Sequence, residues 1–336
     1  MLDCHDTISR LRAMQADIRK AVVDARARVD LHEVSHATSA DTIYRIDATV
    51  EPILEAHCRQ WAKTTPLVLV AEGIENEQGQ EGLKVFPEGA REEDAAVRVI
   101  VDPIDGTRGI MYDKRPAWSL AGVAPNKGPG TRLRDIEAAV MTELPTSKMG
   151  QADVLWAARG GGAHAERVDL SSLAARPLPL APSRSGRIDH GFATVSNFFP
   201  GTKVLASELM EHLVRGLIGP ADVTRATVFD DQYISTGGQF YELIVGHDRF
   251  NADLRPLFYK IQGQPEGLSC HPYDCASTLI AEEAGVILTD GLDRALDGPL
   301  DCTTGIHWCG YANAALRDRI APLVAAFLAE RGIRGD

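Results

Sequence analysis

Apolar residues run along this chain in two rhythms. Between residues 7 and 29, Ile8, Leu11, Ile18, Val22 and Val29 recur at near-helical spacing with Arg, Lys and Asp between them, which predicts an amphipathic helix. After a polar stretch, His32 to Ser39, residues Thr42 to Ile46 read as a strand. Val50, Ile53, Leu54, His57 and Trp61 then outline a second helix with Asp47 at its N-cap. Apolar runs too short for helices predict strands at Leu67–Val70, Leu83–Phe86, Val97–Val101 and Ala117–Val123, with Ile136–Met141 and Val154–Ala158 as a hairpin. The second half predicts a strand at Phe192–Ser196, helices over Leu205–Leu217 and Phe240–Val245, and a helix through Leu279, Ile280 and Glu283 that stops at Gly285. Strands at Val286–Thr289 and Thr303–Tyr311 and a closing helix at Ala314–Leu328 complete the order. The Pro-, Ser- and Arg-rich stretch Arg176–Arg187 divides the chain into domains 1–183 and 184–336.

Composition narrows the class. At 336 residues with 44% hydrophobic content, the chain can bury one large or two medium cores. A net charge of −12 argues against nucleic acid as a partner, since a phosphate backbone is met by a basic surface. An acidic chain can still take a small phosphorylated substrate where metal ions supply positive charge locally. No apolar run approaches the roughly 20 residues that span a bilayer, so no membrane partner is expected. The charged N-terminus lacks a signal-peptide core. Six cysteines without a C-x-x-C pair suit neither a zinc site nor a disulfide framework, and are read as reduced thiols in a cytoplasmic protein.

The strand at residue 97 runs into Asp102-Pro103-Ile104-Asp105-Gly106-Thr107. Pro103 fixes its own φ and drives Asp102 toward an extended conformation, while Gly106 permits a turn that other residues resist. Two carboxylates three apart on such a turn can point at one spot, with the Ile104 carbonyl between them. Crowded acids repel unless cations sit between them, and hard oxygen donors of this kind suit Mg²⁺. Thr107 opens a segment whose backbone N–H groups can hold a phosphate. An ordinary acidic surface turn uses the same dipeptides; the complete string decides against it. DPIDGT resembles the central motif of the inositol monophosphatase-like family of metal-dependent sugar phosphatases, in the inositol monophosphatase / fructose-1,6-bisphosphatase superfamily.

The resemblance extends to other acids. Glu72, at the end of the Leu67–Val70 strand, stands where the family has its other N-terminal metal ligand, although Gly73 replaces a second acid there. The glycine-rich turn Arg159–Ala163 also follows the family pattern. The segment Cys270–Ser277 resembles the second motif, W-D-x-A-x-G, with Tyr273 for tryptophan, Ser277 for a glycine, and Asp274 in place at a helix N-terminus. The resemblance implies an α/β (α+β) fold, a layered α/β/α/β/α sandwich, as a homodimer. It implies two or three Mg²⁺ ions: one on Glu72, Asp102 and the Ile104 carbonyl, one on Asp102, Asp105 and Asp274, and a weaker third on Glu72 and Asp47. Thr107 and Glu72, with Asp47 assisting, would orient and deprotonate the attacking water. Asp105, Gly106, Thr107, His271 and Glu266 would contact the substrate.

The implied activity is Mg²⁺-dependent, lithium-sensitive hydrolysis of a small sugar, inositol or polyol phosphate. Fructose-1,6-bisphosphatase-like and nucleotide 3′-phosphatase activities stay open as alternatives. A rival of a different class is a non-catalytic sugar-phosphate-binding regulatory protein, against which the intact acid set argues. Arg225, Arg249 and Arg255 are candidates for a second phosphate, but no dense basic cluster is visible. The stretch 250–266 resembles nothing assignable and would serve as a lid, an oligomer contact or part of the substrate pocket. His32-Glu33-Val34-Ser35-His36 fits the zinc-protease pattern H-E-x-x-H, which needs both histidines on one face of a helix. Poor helix material follows it, so a flexible loop near the active site is expected instead.

Overall fold

The computed structural model describes residues 2–25, 34–37, 42–75, 81–220 and 222–335. Helix α1 (Cys4–Ala25) buries Leu11, Met14, Ile18 and Val22 on one side and begins a turn earlier than its apolar spacing suggests. Strands β1 (Val34–Ala37) and β2 (Thr42–Tyr44) pair antiparallel as a small hairpin. The second histidine of the H-E-x-x-H pentad, His36, therefore lies on a strand, which removes the helical geometry that zinc ligation needs and replaces the expected loop. His32 and Glu33 lie outside the described residues. Helix α2 (Arg45–Ala62) starts two residues before Asp47, so Asp47 occupies its first turn instead of the N-cap, and Arg45 and Ile46 belong to the helix. The side chain of Asp47 lies outside what is described.

The chain continues through β3 (Leu67–Glu75), β4 (Glu81–Phe86), β5 (Val97–Asp105), a short helix α3 (Thr107–Met111), β6 (Ala117–Pro125), β7 (Ala138–Leu144), β8 (Gln151–Ala158), β9 (Ala163–Asp169) and β10 (Ala175–Pro177). These eight strands form one sheet in the order β10-β9-β8-β7-β6-β5-β3-β4. All neighbours in it are antiparallel except β3 and β5. Strands β9 and β10, at one edge, carry mostly half-buried or exposed residues and so lack the continuous apolar run that marks the central strands.

Beyond residue 190 come β11 (Phe192–Val195), α4 (Lys203–Leu217), α5 (Thr236–Ile244), β12 (Asp248–Asp253), α6 (Arg255–Ile261), α7 (Thr278–Glu283), β13 (Ile287–Thr289), β14 (Trp308–Tyr311) and α8 (Ala314–Glu330). The second sheet has the order β11-β12-β14-β13. Its strand β12 and helix α6 make up much of the stretch 250–266. Of the expected strand at 303–311, the last four residues pair.

Both faces of the large sheet are apolar, which is why its central strands read as unbroken hydrophobic runs. Leu67, Leu69, Val99 and Val101 pack with Leu11, Ile18 and Leu54 of α1 and α2. On the opposite face, Val68, Val70, Ile100 and Leu120 share a core with Phe240, Ile244, Leu279 and Ile280. Helices α5 and α7 thus lie between the two sheets, and α4 and α8 pack together on the far side of the second. The five layers are helix, sheet, helix, sheet, helix. The inner core draws on residues from both sides of position 183. No helix among the described residues is long and apolar enough to cross a membrane.

Candidate active site

Parallel pairing places the first two acids. Ala71 of β3 stands opposite Val101 of β5 in the last pair of their parallel ladder, so the residues that follow, Glu72 and Asp102, come side by side just beyond it. Pairing between β3 and β4 shifts register between Val70 and Glu75, and Gly73 within that shift has φ 77°. Such a left-handed backbone is strained for any residue with a Cβ, which explains the glycine at this position.

On a regular strand, Asp102 and Asp105 would point to opposite faces, because side chains alternate with a period of two. The ladder with β6 resolves this. Asp102 pairs with Leu120 and Asp105 with Trp118, three steps against two, and this one-residue bulge returns both carboxylates to one side. Gly106, at φ 97°, then turns the chain sharply into α3. A Cβ there would lie 3.1 Å from Ser235 Cβ and 3.2 Å from the Ile234 carbonyl oxygen.

Hydrogen bonds fix each acid. The Ile104 N–H donates to Asp102 Oδ1 at 3.0 Å, and Thr107 Oγ1 donates to the Ile104 carbonyl at 2.8 Å. Asp105 Oδ2 accepts from Ser235 Oγ at 2.8 Å and Gly237 N–H at 2.6 Å, and Oδ1 accepts from Thr236 N–H at 3.2 Å. Ser235 also caps α5 through the Gly238 N–H. Asp274 lies in a run of turns ahead of α7, four residues before its first helical residue, and accepts the His271 N–H at 2.6 Å. These are neutral donors around the carboxylates.

Ligand atoms of Asp102, Asp105 and Asp274 all lie within 4.8 Å of one another. Burial drives the Asp105 carboxyl up to about 6 against the pull of its three donors. Burial also lifts Asp102 well above the usual carboxylate range, and Asp105, Asp274 and Glu72 push it further. Asp274 rises for the same reasons, burial first and then Asp105. A set of hard oxygen donors held this close and out of water fits divalent cations of the Mg²⁺, Mn²⁺ or Ca²⁺ type.

The acids form the floor of a cleft of about 550 Å³. Glu72, Asp102, Ile104, Asp105, Gly106, Thr107 and Asp274, all singled out from the sequence, line it together. His271 and Glu266 are not among its lining residues. His271 is buried and stacks on Tyr273, whose hydroxyl is 3.2 Å from its Nδ1. The Glu266 carboxylate lies against Gly305, where a Cβ would fall 1.4 Å from its Oε1. Tyr273 itself borders the cleft, and Ser277 is buried.

Several lining residues were invisible to sequence reasoning. Ser235 and Thr236 hold Asp105 in place, and their only sequence signal is a turn of small residues ahead of a helix. Phe198 and Phe199, which carry no signal in the sequence, share the remaining wall with Arg255, a residue the sequence offered as a phosphate contact. Arg225 is exposed beside Asp222, and Arg249 donates to the carbonyls of Arg187 and Asp189. Of the three arginines considered for a second phosphate, Arg255 is the one in the cleft.

No protein-family model matches the sequence, and no curated protein matches it either. Solved structures do match in fold. The extragenic suppressor protein SuhB from Bartonella henselae aligns over 95% of this chain and 98% of its own, at 17% identity and a TM-score of 0.63. The inositol monophosphatase of Thermotoga maritima aligns over 97% of this chain and all of its own, at 15% identity and a TM-score of 0.62. Fructose-1,6-bisphosphatase from Leishmania major, in its holo form, covers 95% of this chain and 92% of its own, at 13% identity and a TM-score of 0.64. With the same layers, nearly full-length overlap and the DPIDGT acids at the sheet edge, this chain has the inositol monophosphatase-like fold.

Proposed function

We propose that the chain is a metal-dependent phosphomonoesterase, using Mg²⁺ to hydrolyse a small sugar, inositol or polyol phosphate. The observation that carries this reading is the convergence of Asp102, Asp105 and Asp274 within 4.8 Å on this fold. Glu72, Asp102 and the Ile104 carbonyl would hold one cation, and Asp102, Asp105 and Asp274 another. Bound cations of this kind polarise the phosphoryl group, promote attack by water and stabilise the leaving oxygen.

The chain's own groups do the rest. Thr107, whose Oγ1 donates to the Ile104 carbonyl, and Glu72, both lining the cleft, would orient and deprotonate the attacking water. Asp47 would assist. The N–H groups of Gly106 and Thr107, at the sharp turn into α3, are suited to the phosphate oxygens. We further propose a homodimeric state and lithium sensitivity on the strength of the resemblance, and a cytoplasmic location on that of the unpaired cysteines.

The test is phosphate release from a panel of sugar, inositol and nucleotide monophosphates with Mg²⁺, with EDTA and with added Li⁺. Release that needs Mg²⁺ and is abolished by EDTA supports the reading. No release from any ester, with binding of phosphates retained, favours the regulatory alternative.

A further inference from the structure

Of the three clustered acids, Asp274 has the weakest scaffold. Asp102 and Asp105 belong to β5 and stay in register with β6. Asp274 lies instead in a run of turns, and α7 begins only at Thr278. Among the described residues its carboxylate accepts one hydrogen bond, from the His271 N–H to Oδ2 at 2.6 Å. A ligand held this way is only as well placed as the turn that carries it.

The turn is fixed by a contact between two of its own side chains. His271 and Tyr273 are 6% and 3% exposed. Their rings stack with centres 5.3 Å apart and planes 15° from parallel, and Tyr273 Oη lies 3.2 Å from His271 Nδ1. Tyr273 directly precedes Asp274, and His271 supplies the N–H that the carboxylate accepts, so the pair restrains both the backbone of the acid and its donor. The sequence writes Tyr273 where the motif it resembles has tryptophan, so this hydroxyl is the chain's own.

The hydroxyl also occupies a nitrogen that threatens the site. His271 Nδ1 is 4.0 Å from Asp274 Oδ2, just beyond hydrogen-bond reach. An imidazole free to swing closer would donate to that oxygen and compete with a cation for it. Engaged by Tyr273, the ring is held back.

Resting on the phosphatase reading for the cation it serves, we propose that Tyr273 and His271 form a clasp that positions the Asp274 carboxylate for Mg²⁺. The hydroxyl of Tyr273, and not its ring alone, then sets the affinity for the cation. Both are positioning residues. His271 has no atom in the converging group of ligands, and Tyr273 commits its hydroxyl to His271. Groups that orient a ligand from behind in this way govern metal affinity without touching the metal.

A double-mutant cycle tests the clasp. Tyr273→Phe keeps the stack and removes one oxygen, and His271→Phe keeps the stack and removes Nδ1. Mg²⁺ affinity is measured calorimetrically on the full chain, with unfolding in EDTA as the control for folding and phosphate release read separately. Each single variant should bind Mg²⁺ about five- to tenfold more weakly, the worth of one ordinary hydrogen bond. The double variant should lose no more than about twice what the worse single variant loses, because both substitutions remove the same bond. If His271→Phe does not fold, Tyr273→Phe is compared with Tyr273→Leu, which also removes the stack and should weaken Mg²⁺ further.

Unchanged Mg²⁺ affinity in Tyr273→Phe overturns the clasp, even where stability in EDTA falls, since the hydroxyl would then serve packing alone. Losses that multiply in the double variant overturn it too. The two readings fail separately. Mg²⁺-dependent phosphate release with normal Mg²⁺ affinity in the variants removes the clasp and keeps the phosphatase; weakened Mg²⁺ binding in a protein that hydrolyses no ester does the reverse.

Discussion

Asp105→Asn separates what the carboxylate does for the fold from what it does for a cation. Its Oδ2 takes the two shorter bonds, from Ser235 Oγ and Gly237 N–H, and an amide oxygen in that position keeps both. The amide nitrogen then faces the Thr236 N–H, so the 3.2 Å bond is lost, at about 1 kcal/mol. Relief of burial and repulsion acts in the opposite direction at neutral pH, because the wild-type acid is held up near 6. The metal-free variant should therefore unfold within a few degrees of wild type. Loss of a cation ligand is a larger effect. A protein of 336 residues that gains about 3 kcal/mol from Mg²⁺ at a hundredfold excess over its dissociation constant is raised by roughly 4 °C in melting temperature. The variant should forfeit most of that rise. Turnover should fall by about 10³-fold or more, equivalent to roughly 4 kcal/mol of transition-state stabilisation. Thermal unfolding with Mg²⁺ and with EDTA, run beside phosphate release, reads all three quantities. Near-normal turnover, or an undiminished Mg²⁺ shift, would refute the assignment of Asp105 as a ligand.

Three other substitutions probe the surroundings. Glu143 on β7 is 8% exposed, and burial raises its carboxyl to about 7 while the Asp153 N–H at 3.0 Å and then Arg167 pull it down. The folded protein thus holds this proton more tightly than the unfolded chain, so its contribution is best below about pH 4.5 and falls, by about 3 kcal/mol in all, as pH rises through about 7. Glu143→Gln should remove that slope, and urea unfolding at about pH 5 and about pH 8 should show the variant gaining on wild type at the higher pH; a gap that does not change with pH counts against it. Gly106→Ala forces a Cβ onto a backbone at φ 97° and to within 3.1 Å of Ser235 Cβ. That should cost about 1–3 kcal/mol of stability and lower turnover at least about tenfold; an unchanged melting temperature would show the turn to be less constrained than its geometry implies. Ser235→Ala removes both the α5 cap and a bond to Asp105, so it should cost about 1–2 kcal/mol and weaken Mg²⁺-dependent stabilisation; loss of stability with an unaltered Mg²⁺ response would limit Ser235 to capping.

Much of the fold was legible because the large sheet is apolar on both faces. Strands β3, β5, β6, β7 and β8 announce themselves as short hydrophobic runs, and α1, α4 and α8 as amphipathic or apolar helices. Legibility fails where burial is partial. Edge strands β9 and β10 carry polar side chains, and β12 ends in Asn251, Ala252 and Asp253, whose polar side chains are buried on bonds to Asp248, Gln239 and Arg255 and so break the apolar pattern of a buried strand. Of the small hairpin, β2 was legible as a strand, while β1 lies in a polar stretch that reads as a loop. The acids followed from motif spelling, but the groups that hold them did not. Ser235 and Thr236 lie more than a hundred residues from Asp105, and spacing along the chain carries no trace of that contact.

One parallel pairing in the large sheet explains why the acids can meet at all. Antiparallel neighbours send their ends to opposite edges, which would have put Glu72 and Asp102 far apart. Because β3 and β5 run the same way, both strands end at one edge, and the bulge on β5 adds Asp105 to the same side. Helix α5 and the turns before α7, from the other half of the chain, then deliver neutral donors and one more acid, Asp274. None of these features improves the core. The bulge interrupts a ladder, Gly73 and Gly106 occupy left-handed backbone, and buried like charges repel. A bound cation would turn the last of these costs into binding free energy, because the repulsion it relieves is built into the folded state alone. The same reasoning explains why the removal of one of these acids should abolish activity without unfolding the protein: the site stands on a scaffold that is stable in spite of it.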